Sequence, residues 1–224
     1  MYSVSILIPT YNRSKFNQLI INNITSQTYP LIKEIIIADD GDERLLCKPG
    51  ATPRLAGSLC DIQELSHLSI LYYKVHRMTI GEKRIFLKDK ASGSYLVHMD
   101  TDDFYHPEYI SNCIFNLLMS GKSLTGSSDM LLYYDEKCYK QCCIYLNYIN
   151  EATMTYTKKY SNEHDFIDSN SGEGVNFCCA KDIVETPIED IMLCLCHSSN
   201  TINKKVWLDE KYKISYDLKA YENH

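Results

Sequence analysis

The sequence predicts an α/β fold built on a largely parallel sheet, and three observations carry that expectation. Short apolar runs without polar alternation recur through the first half of the chain. Several are followed by segments with helical spacing or a helix-capping signature. Polar clusters sit just beyond three of the runs, where loops would fall. Strands buried on both faces read as continuous hydrophobic runs, and their alternation with helices is the mark of parallel strands joined by crossovers.

Taken in order, "VSILI" (4–8) is a short buried strand, and Phe16, Leu19, Ile20 and Ile24 then fall at helical spacing behind Ser14, a plausible cap. "EIIIA" (34–38) and "SILYYKV" (69–75) are the next strands. The stretch between them holds Pro49, Pro53 and Gly57, which break any long helix. "TIGE" (79–82) matches a capping box and opens a helix expected to run to about Ala91. "SYLVHM" (94–99) is a strand, and 107–119 a helix. From about residue 124 the pattern loosens into strand-like pieces at 130–134, 142–146, 153–157 and 191–196 with two short helical candidates. No linker, repeat or low-complexity segment divides the chain.

With 224 residues, 45% of them hydrophobic and 23% charged, the chain can bury a full core. Its net charge of −6 supplies no basic footprint, so neither nucleic acid nor an anionic membrane surface is an expected partner. The ten cysteines (Cys47, Cys60, Cys113, Cys138, Cys142, Cys143, Cys178, Cys179, Cys194, Cys196) contain no CxxC pair of the structural zinc type. They read as reduced thiols. The start, "MYSVSILIPTYN", lacks a basic segment followed by a long apolar run, and no window approaches a membrane span. The expectation is a cytoplasmic chain without signal peptide or transmembrane segment.

The polar clusters define a candidate site. Pro9, Thr10, Tyr11 and Asn12 follow the first strand, Asp39 and Asp40 the second, and Asp100, Asp102 and Asp103 the strand ending at Met99. Any one cluster reads equally well as a solvated loop. In an open parallel sheet, however, the ligand crevice lies outside the carboxyl ends of the strands, so the three converge. A calcium loop beginning at Asp100 would need Gly and Glu where Tyr105 and Ser111 stand. A dinucleotide fingerprint would need GxGxxG where the chain has "PTYNRS". An aspartyl-nucleophile phosphotransferase resembling the haloacid dehalogenases would want Thr or Val where Phe104 stands. A metal site for a diphosphate survives: clustered carboxylates hold an anion only through a hard divalent cation such as Mg²⁺ or Mn²⁺.

Other conspicuous residues have plainer explanations. Paired tyrosines such as Tyr72, Tyr73, Tyr133 and Tyr134 are read as packing, and His98, inside a strand, as a core histidine. Neither His76 nor His106 has a ligand spacing. Lys83, beside Arg84, either neutralises a diphosphate or faces solvent.

The segments "SILIPTYNR", "IIIADDGD", "IGEKR", "GSYLVHMDTDDFYHPEYI" and, more loosely, "GEGVNF" with "CHSSNT" resemble, in order, the successive blocks of the inverting nucleotide-sugar glycosyltransferases of family 2, with their GT-A fold and DXD motif. Most of the likeness lies in the first 110 residues. The resemblance implies one GT-A domain over 1–224, with a nucleotide-sugar-binding half (1–110) and an acceptor-side half (111–224). It implies a Mn²⁺- or Mg²⁺-dependent transfer from a nucleoside diphosphate sugar, UDP-based, to a glycan or other hydroxyl acceptor.

By the same resemblance, Pro9, Thr10, Tyr11, Arg13, Asp40, Lys83, Arg84, Asp100 and Thr101 would contact the donor. Asp102 and His197 would hold the metal, and Asp103 and Asn200 would support the acceptor side or the surroundings of the metal. Two positions depart from the family pattern. Ile85 stands where Asn usually follows the Arg, and the family's Glu-Asp pair, whose Asp is the usual base, reads Glu173-Gly174. The base is therefore Glu173, or else Asp190 in "IEDIML". A sugar nucleotidyltransferase would need a Gly-rich, Arg- and Lys-containing signature absent from residues 4–20, while Gly174 keeps open a catalytically inactive binding module.

Overall fold

The structure is a computed structural model that describes residues 2–46, 63–142, 148–201 and 203–221. Pro49, Pro53, Gly57, Cys47, Cys60, Cys143 and most of the strand expected at 142–146 lie outside the described residues. In chain order the elements are β1 (Val4–Thr10), α1 (Asn17–Thr25), β2 (Ile32–Asp39), β3 (Ser69–Lys74), α2 (Ile80–Lys90), β4 (Tyr95–His98), β5 (Phe104–Tyr105), α3 (Tyr109–Ser120), β6 (Leu124–Gly126), β7 (Asp129–Tyr134), β8 (Lys137–Cys142), β9 (Thr155–Thr157), α4 (Lys158–Glu163), β10 (Ile183–Glu185), β11 (Met192–Leu195) and β12 (Lys213–Ile214), with short 3₁₀ turns between them.

A seven-stranded sheet in the order β10-β6-β9-β4-β1-β2-β3 forms the centre. β1 pairs in parallel with β2 and β4, β2 with β3, and β6 with β10; only β9, between β4 and β6, runs the other way. A second sheet, β12-β8-β7-β11-β5, packs beside it and is mostly antiparallel. Every residue of β1 is buried, because the sheet is covered on both faces. Strand residues alternate between the two faces. Ile6, Ile8, Ile35, Ile37 and Val97 pack with Ile20 and Ile24 of α1 and Ile110, Ile114 and Leu117 of α3. Leu7, Ile36, Ala38 and Leu96 pack on the other side with Leu87, Tyr156 and Phe177.

Local signals account for most boundaries. The capping box is present: the Thr79 hydroxyl accepts the Glu82 N–H at 3.1 Å, and the Glu82 carboxylate accepts the Thr79 N–H at 2.8 Å. The helix α3 ends at Gly121, whose φ of 68° is the left-handed conformation glycine adopts without a Cβ clash. Ser14 corrects the sequence expectation. Its hydroxyl donates to Glu43 at 2.6 Å instead of capping a helix, and a 3₁₀ turn, Ser14–Phe16, precedes α1. His98 is fully buried against the Tyr156 hydroxyl at 2.8 Å, and burial together with the Arg84 charge holds its imidazole well below the usual range, in the neutral form. Tyr72 is buried and Tyr73, Tyr133 and Tyr134 half-buried, in keeping with packing. Among the described residues no helix is long and apolar enough to cross a membrane.

Candidate functional site

A cleft of about 1250 Å³ opens at the carboxyl ends of β1 and β4 and extends over the second sheet. Parallel pairing brings both ends to one edge, so the clusters that follow them meet there. Pro9, Thr10, Tyr11, Arg13, Lys83, Arg84, Asp100, Thr101, Asp102, Asp103, Glu173 and Asn200 all line it. Asp40, His197 and Asp190 are not among its lining residues.

The loops after β1 and β2 are tied together by Asn12. Asn12 sits at φ 50°, a conformation Asn tolerates better than most residues, and its side-chain oxygen accepts the N–H groups of Asp42 (2.7 Å) and Glu43 (3.0 Å). Glycine is required at 41, because a Cβ there would lie 2.4 Å from the Asn12 backbone nitrogen. Asp39 is wholly buried, accepting from the Gly41 N–H at 2.8 Å and from the Tyr72 hydroxyl, which makes it part of the frame.

Asp40 lies beneath the cleft wall. Its carboxylate is shared between the Lys83 ammonium (2.5 Å), the Arg77 guanidinium (3.1 Å) and the Met78 N–H (3.2 Å). Lys83 is thereby buried and faces inward, donating also to the Thr10 carbonyl at 3.2 Å. Burial lowers its pKa, and the Asp40 charge opposes the fall. Arg77 spreads over the Tyr11 ring with its guanidinium carbon 3.5 Å from the centroid, so the pair forms a flat platform at the cleft mouth.

Arg84, 2% exposed, is the largest buried cation of the site. Its Nε donates to Glu173 at 2.9 Å, one terminal nitrogen reaches both Asp100 oxygens at 3.4 Å, and the other contacts His98 Nδ1. Burial works against its charge, but Asp100 and Glu173 outweigh that and raise its pKa. Burial in turn raises the Asp100 pKa, with Arg84 pulling the other way.

The acidic turn after β4 is held from three sides. Asn23 on α1, fully buried, donates to the Asp103 carbonyl at 2.8 Å and accepts the Tyr105 N–H at 2.9 Å. The Tyr105 hydroxyl accepts the Asp100 N–H at 2.8 Å and donates to the Ala152 carbonyl at 2.9 Å. The Leu195 N–H of β11 donates to Asp103 Oδ1 at 2.9 Å, and Lys204 stands 3.8 Å from the same oxygen. Burial pushes Asp103 up to about 6 despite that lysine.

Asp102 faces His197 and Arg13. Its Oδ2 is 2.9 Å from His197 Nε2 and 3.3 Å from the Arg13 guanidinium. Burial would raise Asp102, but the hydrogen bond from His197 and the charges of Arg13 and Lys204 prevail, so its pKa lies below the usual carboxylate value. The Ser199 N–H donates to His197 Nδ1 at 3.2 Å, which turns Nε2 toward Asp102 and the Asn200 amide nitrogen, 3.0 Å away. Asn200 fixes the turn by accepting the His197 N–H at 2.7 Å and donating to the Leu195 carbonyl at 3.1 Å.

The opposite wall carries Glu173 and Glu151. Glu151 accepts the Gly174 N–H at 2.8 Å and the Tyr148 hydroxyl. Its pKa is raised by burial and by the Glu173 charge. A Cβ at 174 would lie 3.0 Å from the Glu151 carboxylate, so Glu151 fills space that a side chain at 174 would need. Asp190 ends a 3₁₀ turn, Ile188–Asp190, whose Ile188 reaches the cleft while Asp190 does not. Sequence reasoning missed Asn23, Arg77, Glu151 and Lys204. None lies in a recognisable block, and each meets the site through a partner 23 or more positions away, as Glu151 does at Gly174 and Asn23, across 80 positions, at Asp103.

Known proteins match on the same region. The family model described as Glycosyl transferase family 2 matches residues 5–170. Glycosyltransferase AglE of Haloferax volcanii is 25% identical over 131 residues, which are 58% of this chain and 40% of that protein. The chain thus spans well under two thirds of that relative. Among solved structures, S. aureus TarS 1-349 in complex with UDP superposes with a TM-score of 0.63 at 14% identity, covering 86% of this chain and 60% of that one. The mannosyltransferase PcManGT from Pyrobaculum calidifontis in complex with GDP-Man and Mn²⁺ gives 0.60 at 11% identity, covering 88% and 58%. At these identities the likeness shows a shared GT-A fold.

Proposed function

The chain belongs to glycosyl transferase family 2, and on that premise we propose that it transfers a sugar, with inversion, from a nucleoside diphosphate donor to a hydroxyl of a glycan or other acceptor. One observation carries the proposal: a single cleft in which Asp100, Asp102 and Asp103 are opposed by Arg84, Arg13 and Lys204, with Lys83 also in its lining. Carboxylates and cations at one strand end suit a diphosphate that brings its own counter-ion.

The donor is proposed to lie along the β1 edge, its base on the Tyr11–Arg77 platform and its ribose toward Asp100 and Thr101. Asp40 acts there through Lys83 and Arg77, whose positions it sets. The residues present fit a divalent cation, because the carboxylate of cleft-lining Asp102 has the His197 imidazole 2.9 Å behind it, a hard oxygen donor and a nitrogen donor together. Asp102 and His197 would hold Mn²⁺ or Mg²⁺, which when bound neutralises charge developing on the departing diphosphate. Arg13, already against Asp102, adds a positive charge on the same side.

Inversion needs a carboxylate within hydrogen-bond reach of the acceptor hydroxyl. Glu173 is proposed for that role: it lines the cleft, and Arg84 fixes one of its oxygens. The acceptor oxygen would attack the anomeric carbon from the side opposite the diphosphate, passing its proton to Glu173 as the nucleoside diphosphate leaves. Glu151 supports Glu173 by holding the neighbouring Gly174 N–H.

A screen of uridine and guanosine diphosphate sugars, with Mn²⁺ and a panel of saccharide acceptors, tests the proposal by release of free nucleoside diphosphate. Turnover with a uridine-based donor is the expected result. A metal-dependent rise in melting temperature with no release from any donor would mark a binding module instead.

A further inference from the structure

The structure assigns a second cation site, outside the cleft, to His164, Cys179 and Asp182. One ligand atom from each residue lies within 4.8 Å of the others, and all three side chains are half-buried. None of the three lines the cleft, so the inference stands apart from the proposed transfer reaction.

The geometry is prepared in two ways. Cys179 and Asp182 bracket the 3₁₀ turn Ala180–Asp182, closed by the Asp182 N–H donating to the Cys179 carbonyl at 2.8 Å. With three residues per turn, positions three apart project from the same side. His164, just beyond α4, stacks on the Tyr160 ring (centroids 3.9 Å apart, 14° between planes), and its Nδ1 lies 3.0 Å from the Tyr160 carbonyl. A carbonyl only accepts, so Nδ1 bears the hydrogen and Nε2 keeps its lone pair. A ring nitrogen bound to a carbonyl in this way is the usual means of orienting a metal-ligating histidine. The Tyr160 hydroxyl also accepts the Cys179 N–H at 3.1 Å and donates to the Phe177 carbonyl, so one tyrosine braces both ligand-bearing segments.

An imidazole, a thiolate and a carboxylate together suit Zn²⁺ and not the oxygen-preferring Mg²⁺ or Ca²⁺. The ion would take Nε2 of His164, Sγ of Cys179 and a carboxylate oxygen of Asp182, with water completing the tetrahedron. Binding releases the Cys179 thiol proton to solvent. The closed loop 164–182 contains Glu173 and the cleft-lining Cys178 and Ala180, so the ion braces that wall.

Titration of the full chain with Co²⁺, read by thiolate-to-cobalt absorption, tests the site, with Zn²⁺ competition giving the affinity. One equivalent should saturate the band. Cys179→Ser should abolish it, Cys178→Ser should keep it, and His164→Gln and Asp182→Asn should each weaken Zn²⁺ by roughly tenfold or more. Circular dichroism checks that each variant is folded; should Cys179→Ser fail to fold, the affinities of the His164 and Asp182 variants decide. No saturable band, a band that survives in folded Cys179→Ser, or unchanged affinity in both other variants overturns the assignment.

Discussion

Replacing Arg84 with Met tests whether this residue is the electrostatic keystone of the site. The side chain is 2% exposed and serves Glu173, Asp100 and His98 together, so the substitution removes the counter-charge of two carboxylates while roughly conserving volume. Breaking a buried ion pair from one side costs about 3–5 kcal/mol. At about 2–4 °C per kcal/mol for a chain of this size, the melting temperature should fall by about 6–20 °C.

The pH dependence follows from two other groups. Burial raises Asp100, and burial with the Glu173 charge raises Glu151, while Arg84 opposes both shifts. Without Arg84 both acids rise further. A carboxyl whose folded pKa exceeds its unfolded value adds stability that is complete below the unfolded pKa and is lost as pH rises through the folded one. The deficit of Arg84→Met against wild type should therefore be largest near neutral pH and shrink toward about pH 5. Arg84→Lys keeps the charge without the fork and should give a smaller deficit that varies less with pH. Urea melts of the three proteins at both pH values measure this. A deficit below about 1 kcal/mol, or one equal at the two pH values, refutes the reasoning.

Asn23→Ala leaves the Tyr105 N–H and the Asp103 carbonyl unpaired in a buried place, at about 1–3 kcal/mol each; a melting temperature equal to wild type would remove Asn23 from the acidic turn's support. Glu173→Gln should reduce transfer by about 10²–10⁴ with donor binding nearly unchanged, while Asp190→Asn, away from the cleft, stays active. The reverse pattern in initial rates would move the base to the later segment. Asp102→Ala should keep the fold but lose the Mn²⁺-dependent part of the melting shift with UDP, and a shift of equal size with and without Mn²⁺ in the wild type would dismiss the cation.

Much of the first half was legible because its signals are local. The buried runs at 4–8, 34–38, 69–75 and 94–99 became β1 to β4, and the Thr79–Glu82 box opened α2, since hydrophobic periodicity and capping act within a few residues. Ser14 shows the limit even there: a nearby Glu43 offered its hydroxyl a better partner than the helix did. Past residue 124 the strands are short, at three residues in β6, β9 and β10, and their pairing is decided by distant segments.

The sequence alone therefore determined the α/β alternation, the resemblance to family 2 and the clusters beyond β1, β2 and β4. Each depends on residue order and short-range patterning. Only the tertiary structure decided that Asp40 is bound by Lys83 and Arg77 and does not line the cleft, and that Asp190 stays outside it. It also put Glu151 in the space beside Gly174, and brought His164 to Cys179 and Asp182. The physical reason is the same in each case. Burial and the pairing of charges are set by which side chains meet across the sheet, and those meetings join residues far apart in the chain, beyond the reach of any local pattern.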